Sequence, residues 1–233
     1  MKKTEGVSII IPAFNEERNI RAAIGSVVKA VAKLSPSYEV LVVNDGSSDN
    51  TKSEAAKEES KNKNVRVIDL ERHMGLGYAI QRGVKEARLG YTTVFPGDND
   101  MDSLSLTDLL KKKEKADLVV AYMGKSDTRK FMRRFVSLIY VGLVSILFKL
   151  KLEYYNGPFI CKTKLLKKLT FISSGFTIYA ELKIRLIKAG YSYIEIPFVH
   201  KGRQHGASKA LTIPSIINVL GATFLIWKDM NSR

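Results

Sequence analysis

Four short apolar runs, residues 7–11 (VSIII), 40–43 (VLVV), 65–70 (VRVIDL) and 92–95 (TTVF), recur through the first hundred residues with one longer segment between successive runs. Runs of this length, rich in Val and Ile, read as strands, and the segments between them are long enough for crossover helices. That alternation leaves little besides a parallel sheet covered by helices, because parallel strands need a crossover of a dozen or more residues. Residues 7–11 are apolar almost throughout, as a strand buried on both faces should be. Helices are expected from a cap at Asn15 through about Lys33, from residues 47–50 through Ser60, and over residues 77–87; residues 118–121 read as another strand. The expected class is α/β, a mostly parallel sheet flanked by helices.

Ligands of open α/β sheets bind at the carboxyl edge, and the polar turns that follow these strands carry the chemistry. Residues 92–95 run into Pro96-Gly97 and then Asp98-Asn99-Asp100. Two closely spaced carboxylates at a strand end are hard oxygen ligands, suited to holding Mg2+ or Mn2+ against a substrate's phosphates. Asn and Asp also simply populate turns. After the first strand comes Pro12-Ala13-Phe14-Asn15-Glu16, where Phe14 offers a flat face for a base and Glu16 an acceptor for base or ribose. After the second comes Asn44-Asp45-Gly46-Ser47-Ser48-Asp49-Asn50-Thr51, where Asp45 can accept from a nucleobase and Gly46 permits close approach. Taken singly, the first is also an ordinary strand–turn–helix junction and the second a capped turn.

The second half has a different character. Residues 135–150 carry only Ser137, Ser145 and Lys149 as polar side chains and follow the basic stretch Arg129-Lys130-Phe131-Met132-Arg133-Arg134. This is shorter than the roughly 20 apolar residues that cross a bilayer. A basic flank joined to an apolar helix suits a helix lying in the membrane interface, and a buried core helix reads the same way in sequence. Residues 213–227 repeat the theme and end in Trp227-Lys228, a pair suited to the headgroup boundary. The formal charge of +15 asks for an anionic partner. No nucleic-acid motif is present, which leaves a membrane face or phosphorylated substrates. Cys161 is the only cysteine, so an intrachain disulfide is excluded and a reducing compartment is expected. The opening residues do not form a secretory signal. His73, His200 and His205 lack a metal-ligand spacing.

Together, "VSIIIPAFNEERNI", "VLVVNDGSSDNT", "HMGLGYAIQRG" and "FPGDND", in this order and spacing over residues 6–210, resemble the family-2 inverting glycosyltransferases, which share the GT-A fold. Within that family "RRFVSLIY", "YYNGPFICKTKLLKKL", "GFTIYAELKIRLIKAGY" and "GRQHGASK" resemble the dolichol-phosphate-mannose-synthase branch, which loads a sugar onto a polyprenyl phosphate. The resemblance implies a GT-A domain over residues 1–212 with an interface helix at about 131–150, and an amphipathic C-terminal helix over 213–233. It implies a nucleotide site at Pro12, Ala13, Phe14, Glu16, Asp45, Gly97 and Asp98, and a Mg2+ or Mn2+ held by Asp98 and Asp100. It places the acceptor phosphate at Arg133, Ser137, Arg203 and Lys209, the last two also serving catalysis. Pro96 stands where the family's Asp-x-Asp begins if Asp98 is its second acid; alternatively Asp98-Asn99-Asp100 is itself the motif. The branch's Arg after the fifth strand is missing from Ala121-Tyr122-Met123, so Lys125 or Arg129 would substitute.

The resemblance implies displacement at the anomeric carbon of a GDP- or UDP-sugar, at the cytoplasmic face of a membrane. A lipid phosphate nucleophile is already ionised and needs no base, whereas a sugar hydroxyl needs one, with Glu181 or Asp102 the candidates. A saccharide-extending transferase is therefore the rival enzyme. A non-catalytic protein that binds anionic membranes is the rival from another class. A homodimer is the other use for the apolar face of residues 135–150.

Overall fold

The computed structural model describes residues 6–35, 37–124, 131–199 and 213–232. The chain runs β1 (Val7–Ala13), α1 (Ile20–Ala32), β2 (Tyr38–Asn44), α2 (Thr51–Lys61), β3 (Val65–Asp69), α3 (Leu76–Glu86), β4 (Tyr91–Val94), α4 (Ser103–Lys112), β5 (Leu118–Met123), α5 (Phe131–Phe148), β6 (Phe159–Lys162), α6 (Thr163–Leu166), α7 (Ile178–Lys188), β7 (Tyr193–Phe198) and α8 (Ile213–Asn231). The strands form one sheet in the order β3-β2-β1-β4-β6-β5-β7. β6 alone runs antiparallel to its neighbours β4 and β5. The expected mostly parallel α/β architecture is what forms.

Alternating residues of the central strands feed two cores. Ile9, Ile11, Val40 and Val42 meet Ile20, Ile24 and Val27 of α1 and Leu106, Leu109 and Leu110 of α4 on one face. Ile10, Leu41, Val43 and Val94 meet Ile80 and Val84 of α3 and Ile178, Leu182 and Leu186 of α7 on the other. This is why the first run is apolar except at Ser8, whose Oγ donates to Glu39 Oε1 at 2.6 Å: its other side chains enter one of the two cores.

The third cluster lies outside the sheet. Ala180 and Ile184, on the side of α7 turned from the sheet, pack with Tyr140, Val144 and Phe148 of α5 and Ile226 of α8. The core-helix reading of residues 135–150 therefore holds for one face. The buried face is this cluster; Phe131, Phe135, Leu138, Ile139 and Ile146 remain exposed, as do Ile217, Phe224 and Leu225 of α8. No helix among the described residues is long and apolar enough to cross a membrane.

The start of α1 differs from expectation. α1 begins only at Ile20, with Asn19 and not Asn15 at the position before it, and Asn19 makes no side-chain cap bond. Asn15 instead adopts a left-handed φ of 56°, and its Oδ1 accepts from Ser48 N at 2.9 Å. Its carboxamide is spent joining two loops, which a propensity argument cannot foresee. α2 starts at Thr51, directly after residues 47–50, as expected.

Candidate functional site

β1, β2 and β4 lie side by side and in parallel, so their carboxyl ends open on one edge. The turns after β1 and β2 are laced together by polar side chains. Glu16 N donates to Thr51 Oγ1 at 2.7 Å, Asn15 N to Ser47 Oγ at 3.0 Å, and Glu17 N to Asp49 Oδ2 at 3.1 Å. The Ser/Asp/Thr content of residues 47–51 is thus both a helix start and the clamp that presents Phe14 and Glu16. Pro12 and Ala13 are buried and contribute backbone. Phe14 is exposed on one face. Glu16 Oε2 accepts from Asn19 Nδ2 at 2.7 Å.

Asp45 is buried, with two backbone amides donating to its carboxylate and a third group close to it. Met74 N donates to Oδ1 at 2.7 Å and Gly75 N to Oδ2 at 2.9 Å. His73 Nδ1 lies 2.8 Å from Oδ2. The His73 ring stacks on Phe14, with centroids 3.8 Å apart and planes inclined by 23°. Gly46, at φ +62°, is required here because a Cβ would meet Arg72 C at 2.3 Å and His73 N at 2.4 Å. His73 opens the motif "HMGLGYAIQRG", but only the fold brings its ring onto Phe14 and Asp45.

The β4 turn lies against β1. A Cβ on Gly97 would meet Pro12 O at 2.6 Å, so glycine lets the carboxylate loop close onto the first turn. Asp98 and Asn99 are buried, and Asn99 has a left-handed φ of 56°. Asp100 N donates to Asp98 Oδ1 at 3.3 Å, curling the two acids together. Tyr179 of α7, missed in sequence, faces this pair: burial, then the charges of Asp100 and Asp98, push its hydroxyl pKa well up. No cluster of three or more His, Cys, Asp or Glu suited to a metal occurs among the described residues. Two carboxylates without a third protein ligand fit a Mg2+ or Mn2+ that completes its coordination with substrate phosphates and water, as these hard ions prefer.

Both candidate bases are engaged elsewhere. Asp102 caps α4, accepting from Leu104 N at 2.7 Å. Glu181 is fully buried; it accepts from Ile172 N at 3.0 Å, Ser173 N at 2.9 Å and Arg185 Nε at 2.9 Å. It thereby fixes a segment whose Ser174 O accepts from Gly77 N at the start of α3.

The acceptor-side residues are not all brought into view. Ser137 is half-buried on α5, one turn from Arg133, whose backbone is helical and whose side chain is not described. Lys125, Arg129, His200, Arg203, His205 and Lys209 lie outside the described residues. The loop before β6 is held from beneath by Lys183, whose Nζ donates to Tyr155 O and Gly157 O, each at 2.7 Å.

The model of the family described as Glycosyl transferase family 2 matches residues 8–180. The chain is 31% identical over 213 residues to a dolichol-phosphate mannosyltransferase from Pyrococcus furiosus, covering 87% of this chain and 58% of that protein, less than two thirds of its length. It is 25% identical over 233 residues to a dodecaprenyl-phosphate galacturonate synthase from Rhizobium johnstonii, covering 94% of this chain and 67% of that one. Among solved structures, glucosyl-3-phosphoglycerate synthase from Mycobacterium tuberculosis in complex with Mn2+, UDP and phosphoglyceric acid matches with a TM-score of 0.69 at 20% identity. That match covers 94% of this chain and 78% of the other, and it establishes the fold, GT-A, alone.

Proposed function

We propose that this chain, which belongs to glycosyl transferase family 2, moves a sugar from a nucleoside-diphosphate sugar to a polyprenyl phosphate at a membrane surface. The observation that carries the choice of acceptor is the commitment of Asp102 and Glu181 to backbone amides. A hydroxyl acceptor needs a base; a phosphate acceptor arrives ionised. Two relatives act on polyprenyl phosphates by name, and the exposed apolar faces of α5 and α8 suit a lipid surface.

In this reading Phe14, Glu16 and Asp45 receive base and ribose, and Pro12, Ala13 and Gly97 shape the floor with backbone. Asp98 and Asp100 hold the divalent ion, which when bound neutralises the diphosphate leaving group. The acceptor phosphate oxygen attacks the anomeric carbon as the bond to the diphosphate breaks, with inversion. Arg133 and Ser137, one helical turn apart, hold the acceptor phosphate, and Arg203 and Lys209 offset the repulsion between two anions. Residues 1–212 form the transferase unit and α8 its membrane-facing C-terminal helix, on the cytoplasmic face.

The test is transfer of label from a panel of GDP- and UDP-sugars to polyprenyl phosphate with Mg2+ or Mn2+. Label should pass to the organic phase and fall at least about a hundredfold in Asp98→Ala and Asp100→Ala. Transfer to a soluble saccharide would overturn the lipid acceptor. Vesicle binding with no turnover of any donor would overturn the enzyme.

A further inference from the structure

The seat that the proposed donor site offers to a nucleobase is already taken by a side chain of the protein. A base placed there needs a flat face to stack on and an acceptor for its ring or exocyclic N–H. Phe14 supplies the first and Asp45 the second. His73 uses both: its ring stacks on Phe14 at 3.8 Å and its Nδ1 sits 2.8 Å from Asp45 Oδ2. An imidazole is a small planar ring with an N–H at its edge, so it makes the same two contacts that a base would.

We infer that His73 is a donor-site residue that holds the base seat in the empty protein and is displaced from it by the nucleobase of the donor. The inference rests on the donor reading above. His73's backbone is packed in place, whereas its side chain is held by the stack on Phe14 and the contact with Asp45. Met74 N and Gly75 N are bonded to Asp45, and the 72–73 backbone lies directly against Gly46. The side chain, by contrast, is 52% exposed, so rotation about its own torsions carries the ring into solvent without moving the loop. Asp45 keeps its two amide donors when His73 leaves, and the contact of Oδ2 with His73 becomes available to the base. Donor affinity is then reduced by the fraction of molecules in which His73 is seated, as in any equilibrium where the competent state is partly populated. Both the ring stack and the close contact with a carboxylate must be exchanged for those of the base, so a base that makes only one of the two contacts well is selected against.

The experiment is titration of GDP and UDP, each with Mn2+, into wild type, His73→Ala and His73→Phe. In parallel, imidazole proton resonances are followed by NMR; the protein has three histidines, and His73→Ala identifies the relevant signal. His73→Ala is expected to bind at least one nucleotide on the order of tenfold tighter. His73→Phe, which keeps the stack and loses the N–H, should fall between. In wild type the His73 resonance should lose its aromatic ring-current shift on nucleotide addition. Binding that His73→Ala weakens would make His73 a wall of the site, and binding that it leaves unchanged would place the base elsewhere; either overturns the displacement and leaves the transferase standing. Failure of both wild type and His73→Ala to bind either nucleotide would sink the donor reading with it.

Discussion

Arg185 donates from Nη2 to Asp229 Oδ2 at 2.8 Å and so fastens the last helix, α8, to α7. The same guanidinium serves buried Glu181, whose other partners are the backbone amides that hold the segment over α3. One side chain therefore links α8, through Glu181, to the segment that packs on the start of α3.

Arg185→Ala should be costly because it leaves Glu181 buried without its counter-charge. A loss of about 3 kcal/mol is expected, seen as a fall in Tm on the order of 10 °C. Asp229→Asn, at a partly exposed position, should cost about 1 kcal/mol or less. Thermal melts of both variants check the ordering, and equal losses would contradict it.

Lys183 is fully buried, and burial pushes its pKa well below the ordinary 10.5, with Glu195 opposing the shift. The unfolded chain therefore binds more protons than the folded one between the lowered pKa and 10.5, so this residue makes stability rise with pH across that window. Lys183→Met should flatten the rise while losing the two carbonyl contacts. Urea unfolding of both proteins at about pH 7 and about pH 9.5 measures the difference in slope. A parallel pH dependence in the variant would assign the slope to other groups.

Leu138 and Ile146 project from the unburied side of α5. Leu138→Asp and Ile146→Asp should leave Tm nearly unchanged and weaken binding to anionic vesicles by at least about tenfold each, the worth of one buried aliphatic side chain. Sedimentation with vesicles reads this directly. If vesicle binding is absent in wild type and the protein is a dimer that either aspartate dissociates, the face is a protein interface.

Gly46→Ala places a methyl at a φ of +62° and against the 72–73 backbone, so a loss of about 2–3 kcal/mol is expected. Gly25→Ala, inside α1 with nothing within 4 Å of the new methyl, should gain about 0.5–1 kcal/mol. Denaturant melts of the pair separate a glycine needed for close approach from one that is merely tolerated.

What the sequence determined by itself is whatever depends on local pattern. Period and run length gave β1 to β5, and the order of turn motifs pointed to the GT-A fold and family, because strand burial and turn chemistry act over a few residues. The placement of Asp98, Asp100, Phe14 and Asp45 was legible for the same reason: each follows a strand, and the ends of β1, β2 and β4 lie on one edge. The tertiary structure decided everything that depends on residues far apart in the chain. Asn15 looked like a helix cap and is a bridge to Ser48, because a side-chain amide takes whichever partner the fold brings nearest. Glu181 and Asp102 read as candidate bases until their carboxylates were seen bonded to backbone N–H groups. α5 could be judged neither core nor surface until α7 and α8 covered one side of it. His73 and Phe14 stand on different strand ends, and only a parallel sheet with adjacent carboxyl edges could stack one ring on the other.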